Sequence, residues 1–379
     1  MKNGKIDRPF LIALMLLAGI GVIMVFSASM YESTISGEKG YALFLKQLAF
    51  VILGVTVMGI MSKIDYRIYK KYYLVGIVIS IFLLIIVLIP GIGLKVNDAR
   101  RWIDLRVTTF QPSELAKVAV ILYFSTIISR KPGIIKENLP FLLNCMLPLG
   151  IICGLTAIEP SLSAAMAIAL AASGVLYFGG IKFKLFYPYL GFGLLAVAGL
   201  MIAEPWRLDR FNVFLGKGGY DYQISQSLLA IGTGGIFGRG LGNGKQKYLF
   251  LPELQNDFIF ANIAEEFGFV GCLLVLGLFA YVIWRGFQIA QKSQDTFAYL
   301  YTSGVMLLLA FQVLVNIGVA TAIIPVTGMA LPFISAGGSS MVILFAMMGP
   351  ILNISRNVDL GKKMESSKMP ALSKKKIVR

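Results

Sequence analysis

"FLIALMLLAGIGVIMVF", Phe10 to Phe26, carries no charge and no proline. A bilayer core is about 30 Å thick and takes about 20 apolar residues as a helix, so this run with its flanks reads as a membrane span. "MKNGKIDRP" leads straight into it, and no small-x-small site followed by a soluble domain comes after it. It therefore reads as a retained span and not as a signal peptide alone. Runs of the same kind recur as far as "SMVILFAMMGPIL" and predict spans near 9 to 30, 45 to 62, 73 to 90, 112 to 129, 139 to 157, 161 to 180, 185 to 203, 257 to 285, 297 to 320 and 329 to 352. The expected fold is an all-α polytopic membrane protein with ten transmembrane helices. Composition agrees, because 57% of the 379 residues are hydrophobic and only 14% charged, unlike a soluble domain.

Basic clusters fall at alternating ends of these spans: Lys2, Lys5 and Arg8; Lys63, Arg67, Lys70 and Lys71; Arg130, Lys131 and Lys136; Lys182 and Lys184; Arg285 and Lys292; and the segment after the last span. By the positive-inside rule those ends are cytoplasmic. Both termini then lie inside, and residues 204–256 form a large extracellular loop between spans seven and eight. The organisation is a membrane domain, 1–353, and a basic cytoplasmic tail, 354–379, of the kind that lingers at anionic lipid. The net charge of +16 is what such loops and tails accumulate, so no nucleic-acid partner is expected.

The chain has no histidine, which excludes Ser-His-Asp triads, His-ligated haem and His-zinc chemistry together. Cys145, Cys153 and Cys272 lie in apolar runs without ligand spacing and read as packing residues. Acid-base work is left to carboxylates, Lys or Tyr. Two outside segments nevertheless keep positive charge: Gly91 to Phe110, with Lys95, Arg100, Arg101 and Arg106, and the long loop, with Arg207, Arg210, Lys217, Arg239, Lys245 and Lys247. Such groups would hold an anion, a diphosphate or a carboxylate. The alternative is pairing with Asp98, Asp104, Asp209 and Asp221.

The glycine run "GTGGIFGRGLGNGK" is not a nucleotide loop. A Walker motif ending at Gly244-Lys245 needs Gly at 239 and Ser or Thr at 246, where the chain has Arg239 and Gln246. It reads as a tight loop whose glycines let backbone approach backbone or a ligand. In "FQPSELAK", Glu114 and Lys117 share a helix face, and a Lys so near the bilayer needs a partner or a wet cavity. Glu114 is the partner expected, in a structural lock or a cavity floor. Gln312 and Asn316 lie within the ninth span, and Ser335, Ser339 and Ser340 near the tenth read as close packing.

"LPELQNDFIFANIAEEFGFVG", Leu251 to Gly271, brings four carboxylates into a helix. From Asp257 to Trp284 one helix would run about 42 Å, so Asp257 to Phe267 should stand clear of the hydrocarbon or line a cavity. Asp257 falls where a carboxylate caps a helix. Glu265 and Glu266 project about 100° apart and are not expected to face one pocket.

These stretches, with "MVFSAS", "ARRWIDL", "RFNVF" and "PVTGMALPFISAGGSS", resemble in order and over nearly the whole chain the SEDS family (shape, elongation, division and sporulation) of peptidoglycan glycosyltransferases. "GPILNISR" is more similar to the FtsW and SpoVE cell-division and sporulation branch than to the RodA branch. The resemblance implies polymerisation of lipid II, a disaccharide-pentapeptide on undecaprenyl diphosphate, at the outer face of the bacterial cytoplasmic membrane. It also implies a class B penicillin-binding protein transpeptidase and divisome or sporulation cell-wall proteins as partners. It makes Asp257 the catalytic residue, and it maps the family's aromatic onto Trp102 and its Glu and Lys onto Glu114 and Lys117. The chemistry needs a base for the attacking hydroxyl and positive charge for the leaving diphosphate. Asp257 is the expected base, with Arg101, Arg210 and Lys247, helped by Arg100, on the diphosphate. A divalent cation, Mg or Mn, could share that role.

Two departures stand out. The chain has Glu159-Pro160-Ser161-Leu162-Ser163 where many members have Gln-Pro-Asp-Leu-Gly, and Ala336 where Tyr is usual. The competing readings are a lipid II flippase and a scaffold that only positions a transpeptidase.

Overall fold

The computed structural model describes residues 4–35, 41–96, 99–106, 108–203, 208, 212–214, 217 and 222–358. Its helices are α1 (Arg8–Ile35), α2 (Ala42–Lys63), α3 (Tyr73–Leu88), α4 (Pro112–Arg130), α5 (Asn138–Ile158), α6 (Leu162–Phe178), α7 (Phe183–Ala203), α8 (Tyr222–Gly234), α9 (Ile259–Lys292), α10 (Thr296–Ala320) and α11 (Ser339–Ser355). Among the described residues seven helices, α1, α2, α4, α5, α7, α9 and α10, are long and apolar enough to cross a membrane, and α3, α6 and α11 are shorter apolar helices. The chain is an all-α multi-pass membrane protein.

Helices α4 and α10 are mostly buried and form the middle of the bundle, with α6 packed on both. Helix α11 lies along α2, and glycines set the approach: a Cβ at Gly54 would meet the Phe345 ring, and one at Gly349 the Met61 side chain. Small residues let helices approach closely where no hydrophobic drive between them exists. Helix α7 instead shows nearly all of its apolar surface.

Pro148 removes an N–H from α5, and a π turn over Leu142–Met146 precedes it. The Asn144 carbonyl in that turn accepts from the Tyr123 hydroxyl at 2.9 Å, which is how irregular backbone is tolerated inside a bundle. The end of the bundle that holds the N-terminus is fastened by ion pairs, Arg285 to Asp7 at 2.9 Å and Lys70 to Asp295 at 3.0 Å.

Two expectations change. Residues 91–110 contain a small antiparallel sheet, β1 (Gly93–Val96), β2 (Ala99–Asp104) and β3 (Thr109–Phe110), in the order β1-β2-β3. The last helix begins at Ser339, not near 329. Leu331 to Ile334 are apolar but fold with Ser335 as a buried turn, in which the Ser335 N–H donates to the Leu331 carbonyl and the Ser335 hydroxyl oxygen accepts from the Leu331 N–H. Their hydrophobicity serves the protein interior, where Pro332 and the following glycines stop a helix. The tail beyond residue 358 lies outside the described residues.

Candidate active site

The approach to α9 is a chain of turns from Leu251, with Phe258 at the N-cap position and Asp257 one residue before it. The Asp257 N–H donates to the Glu253 carbonyl at 3.0 Å. Its own carbonyl accepts from the Asn316 side-chain amide at 2.8 Å, and that amide also donates to the Met329 carbonyl at 2.8 Å. Asn316, fully buried on α10, thus ties the Asp257 turn to the loop after α10. On that loop Gly328 has a φ of +71°, and a Cβ there would stand 3.8 Å from Asp257 Oδ2. A third fastening comes from Ser335, whose hydroxyl donates to the Asn256 carbonyl at 2.6 Å, and from the Ala336 N–H, bonded to the Gln255 carbonyl at 2.8 Å. Asp257 itself is half-buried.

Helix α9 breaks at Gly268, where φ is +66° and ψ −163°. The glycine run docks onto the break. Arg239 and Gly240 donate backbone N–H groups to the carbonyls of Glu265 and Glu266 at 3.0 Å each, and Phe269 and Val270 donate to those of Gly235 and Ile236 at 2.9 and 3.1 Å. A Cβ at Gly238 or Gly268 would collide with the opposing backbone. The loop therefore supplies the hydrogen bonds that the broken helix lacks, and the break separates the Asp257 entry from the apolar length of α9.

Glu265 and Glu266 both turn toward this loop, contrary to expectation: an ideal Cβ on Gly244 would lie 3.0 Å from Glu265 Oε2 and 3.1 Å from Glu266 Oε1. Long side chains on adjacent positions bend to one place when both find donors there. Glu265 accepts from the Lys245 and Gln246 N–H groups at 2.7 and 3.2 Å. Glu266 accepts from the Ser27 hydroxyl at 2.6 Å and pairs with Lys247 at 3.5 Å. Lys247, expected on a diphosphate, points inward. Its ammonium is buried between Glu266 and the Gly242 carbonyl, so its charge is matched inside the protein.

On β2 the pairing steps from Trp102 opposite Leu94 to Arg100 opposite Lys95, which leaves Arg101 as the extra residue of a bulge. The bulge re-aims its guanidinium, which donates to the carbonyls of Glu159, at 3.2 Å, and Pro160. Arg101 is thereby committed to the chain itself, whereas Arg100 and Trp102 are half-buried on the strand. Glu159, just past the end of α5, is fully buried, and neither carboxyl oxygen has a partner among the described residues. Burial pushes its pKa up to about 8, against an opposing pull from Arg101. Lys117 and Glu114 pair at 2.6 Å, both nearly buried. Arg210 lies outside the described residues.

Sequence reasoning did not find Asn316 or Ser335 as fasteners of Asp257. The signal for Asn316 was its polarity in an apolar helix, which in a bilayer demands a partner; Ser335 gave no signal beyond small size. Among the described residues no group of three His, Cys, Asp or Glu gathers to hold a metal.

The model of the cell cycle protein family that comprises FtsW, RodA and SpoVE matches residues 8–360. The chain is 37% identical over 364 residues to stage V sporulation protein E of Bacillus subtilis, covering 94% of this chain and 98% of that protein. It is also 37% identical over 361 residues to a "Probable peptidoglycan glycosyltransferase FtsW" of Trichlorobacter lovleyi, covering 93% and 94%. Among solved structures it is similar to a chain described under "Structural coordination of polymerization and crosslinking by a peptidoglycan synthase complex", with a TM-score of 0.76, 25% identity and coverage of 93% and 98%. The rod shape determining protein RodA of Thermus thermophilus matches with a TM-score of 0.70, 26% identity and coverage of 93% and 97%.

Proposed function

Because this chain belongs to the FtsW, RodA and SpoVE family of cell cycle proteins and is a peptidoglycan glycosyltransferase, we propose that it polymerises lipid II at the outer face of the bacterial cytoplasmic membrane, in cell division or sporulation. In this reading the seven long apolar helices and the three shorter ones are ten spans with cytoplasmic termini. The small sheet, the loop before α9 and the Asp257 turn then face outward.

Asp257 acts as general base. The 4-hydroxyl oxygen of the incoming sugar attacks the anomeric carbon of the growing chain. The bond from that carbon to the diphosphate oxygen breaks, its electrons leave with the diphosphate, and the hydroxyl proton passes to the Asp257 carboxylate. Positive charge stabilises the leaving diphosphate; Arg100 and Arg210 are assigned to it, since Arg101 and Lys247 are engaged within the protein. Trp102 and the Glu114–Lys117 pair are assigned to the substrate cavity. A divalent cation, Mg or Mn, would supply further positive charge at the diphosphate, and no step here depends on it.

The observation that carries this reading is the setting of Asp257. Its carbonyl is fastened from α10 and the preceding Asn256 carbonyl from the turn before α11, while Glu265 and Glu266 of the same segment are fully buried, Glu265 bonded to the end of the glycine run and Glu266 to Ser27 of α1. The similarity to a chain of a peptidoglycan synthase complex supports a class B penicillin-binding protein as partner. The test is glycan formation from lipid II by the purified protein, with and without such a transpeptidase, beside Asp257→Ala. A wild type that makes no glycan, or a variant that makes as much, overturns the assignment. Retained flipping of lipid II by the variant in liposomes, with no polymerisation by either protein, favours a flippase.

A further inference from the structure

A pocket of about 320 Å³ opens at the end of the bundle that holds the N-terminus, between the segment entering α1 and the end of α11. Lys5, Asp7, Arg8, Ser355 and Val358 are among its lining residues, and no residue assigned to the reaction lines it.

Its frame is fixed by bonds among three helices. Asp7 is buried and caps α1, accepting the Phe10 N–H at 2.9 Å. The Asp7 N–H donates to the Ser355 hydroxyl oxygen at the end of α11, at 3.0 Å, and its carboxylate accepts from Nε and Nη2 of Arg285 on α9 at 3.2 and 2.9 Å. Gly4 lies so close to the residue after α11 that a Cβ on it would collide with the Arg356 carbonyl. The one acid of the pocket is thus occupied by Arg285 and by backbone. Lys5 and Arg8 are exposed, and neither has an ion-pair partner among the described residues.

Below the cations runs an apolar track. Ile12, Met15, Leu16 and Ile23 of α1 are exposed, and a Cβ on Gly19 would meet open space. Residues three and four apart share a helix face, so Arg8, Ile12, Met15 and Gly19 form one stripe with the guanidinium at its head. From Arg8 to Gly19 it runs about 16 Å at about 1.5 Å per residue, the depth of one leaflet of a core about 30 Å thick.

We propose that this corner is a binding site for one anionic glycerophospholipid, with its phosphate held by Lys5 and Arg8 in the pocket and an acyl chain laid along the α1 stripe. Two unmatched cations suit a phosphodiester. The track below them separates a lipid from a free phosphate, because only a lipid carries a chain to cover it. Under the topology proposed above the lipid belongs to the inner leaflet. Since the cations stand on the segment that Asp7 ties to α9 and α11, the lipid closes over the joint of the three helices.

Photolabelling reads the site locally. The full chain is placed in phosphatidylcholine nanodiscs that carry a small fraction of diazirine-acyl phosphatidylglycerol or, separately, diazirine-acyl phosphatidylcholine, and cross-links to the 8–23 segment are quantified by mass spectrometry. Phosphatidylglycerol should label this segment about tenfold more than phosphatidylcholine. Lys5→Gln combined with Arg8→Gln should bring it down to the phosphatidylcholine level, and Lys5→Arg with Arg8→Lys should retain it. Lys131→Gln with Lys136→Gln, which removes exposed cations beyond α4 at the same end of the bundle, should leave it unchanged. Inorganic phosphate should not displace the label; displacement as complete as that by unlabelled phosphatidylglycerol would make the site one for a free anion and overturn the lipid. Equal labelling by the two lipids in the wild type, or undiminished labelling in a Lys5→Gln, Arg8→Gln variant shown to be folded by thermal unfolding, also overturns the proposal. A nanodisc offers both leaflets the same lipids, so a failure of the topology would move the site to the other leaflet without changing these results.

Discussion

The side-chain amide of Asn316 donates to the backbone carbonyl of Asp257 at 2.8 Å and, with its second hydrogen, to that of Met329 at the same distance. One buried amide on α10 therefore sets where the Asp257 turn stands against the loop that carries Gly328. Asn316→Leu is expected to lower polymerisation about tenfold to a hundredfold, chiefly in kcat, since it moves the base and not the lipid contacts. It also leaves two buried carbonyls unpaired, at about 1–3 kcal/mol each before relaxation. Steady-state kinetics on protein shown to be folded checks this, and an unaltered kcat would contradict it.

The break in α9 gives a prediction for stability. Gly268→Ala places a Cβ where Gly238 N stands and forces alanine into a φ of +66°. A loss of about 3 kcal/mol or more is expected, read as a lowered midpoint of thermal unfolding in detergent. A midpoint equal to that of the wild type would show that the glycine loop is not clamped to the break.

Lys247 provides a test of structure against substrate contact. Lys247→Ala strands the buried Glu266 carboxylate and should cost about 3–5 kcal/mol, and Glu266→Gln in the same chain should return part of it. Activity per folded molecule should stay near that of wild type. A large rise in KM with stability intact would instead place Lys247 on the substrate.

Glu159 links stability to pH. Burial pushes its folded pKa up to about 8, well above the usual carboxylate range, so the folded state favours the protonated form. Its contribution is fully present below about 4.5 and is lost as pH rises through about 8. Unfolding midpoints between pH 6 and 9 should fall with rising pH in the wild type and do so less steeply in Glu159→Gln. Parallel curves for the two proteins would contradict the buried, unpartnered state of this carboxyl.

How far the sequence is legible depends on the range of the interactions involved. Spans such as α1 and α10 follow from apolar length alone, a local property, and the glycine run announces a close backbone approach because no side-chain chemistry fits it. Its docking partner, the break at Gly268, lies two dozen or so residues on and becomes visible only once both are in place. The β2 bulge that turns Arg101 to the Glu159 carbonyl, and the inward turn of Lys247 to Glu266, are tertiary choices that charge patterning cannot reveal: a cation outside the membrane reads the same whether it faces a substrate or a buried carboxylate. The turn from Leu331 to Ser335 misleads for a related reason, because residues buried in protein and residues facing lipid share one composition.

The central claim is that Asp257 takes the proton of the attacking hydroxyl. Its most direct test is the rate of glycan formation from lipid II by the protein in nanodiscs with a class B penicillin-binding protein, comparing wild type with Asp257→Asn while lipid II binding is measured in parallel. At least about a hundredfold loss of rate is expected, with binding nearly unchanged. Glycan strands formed by Asp257→Asn at the wild-type rate would contradict it.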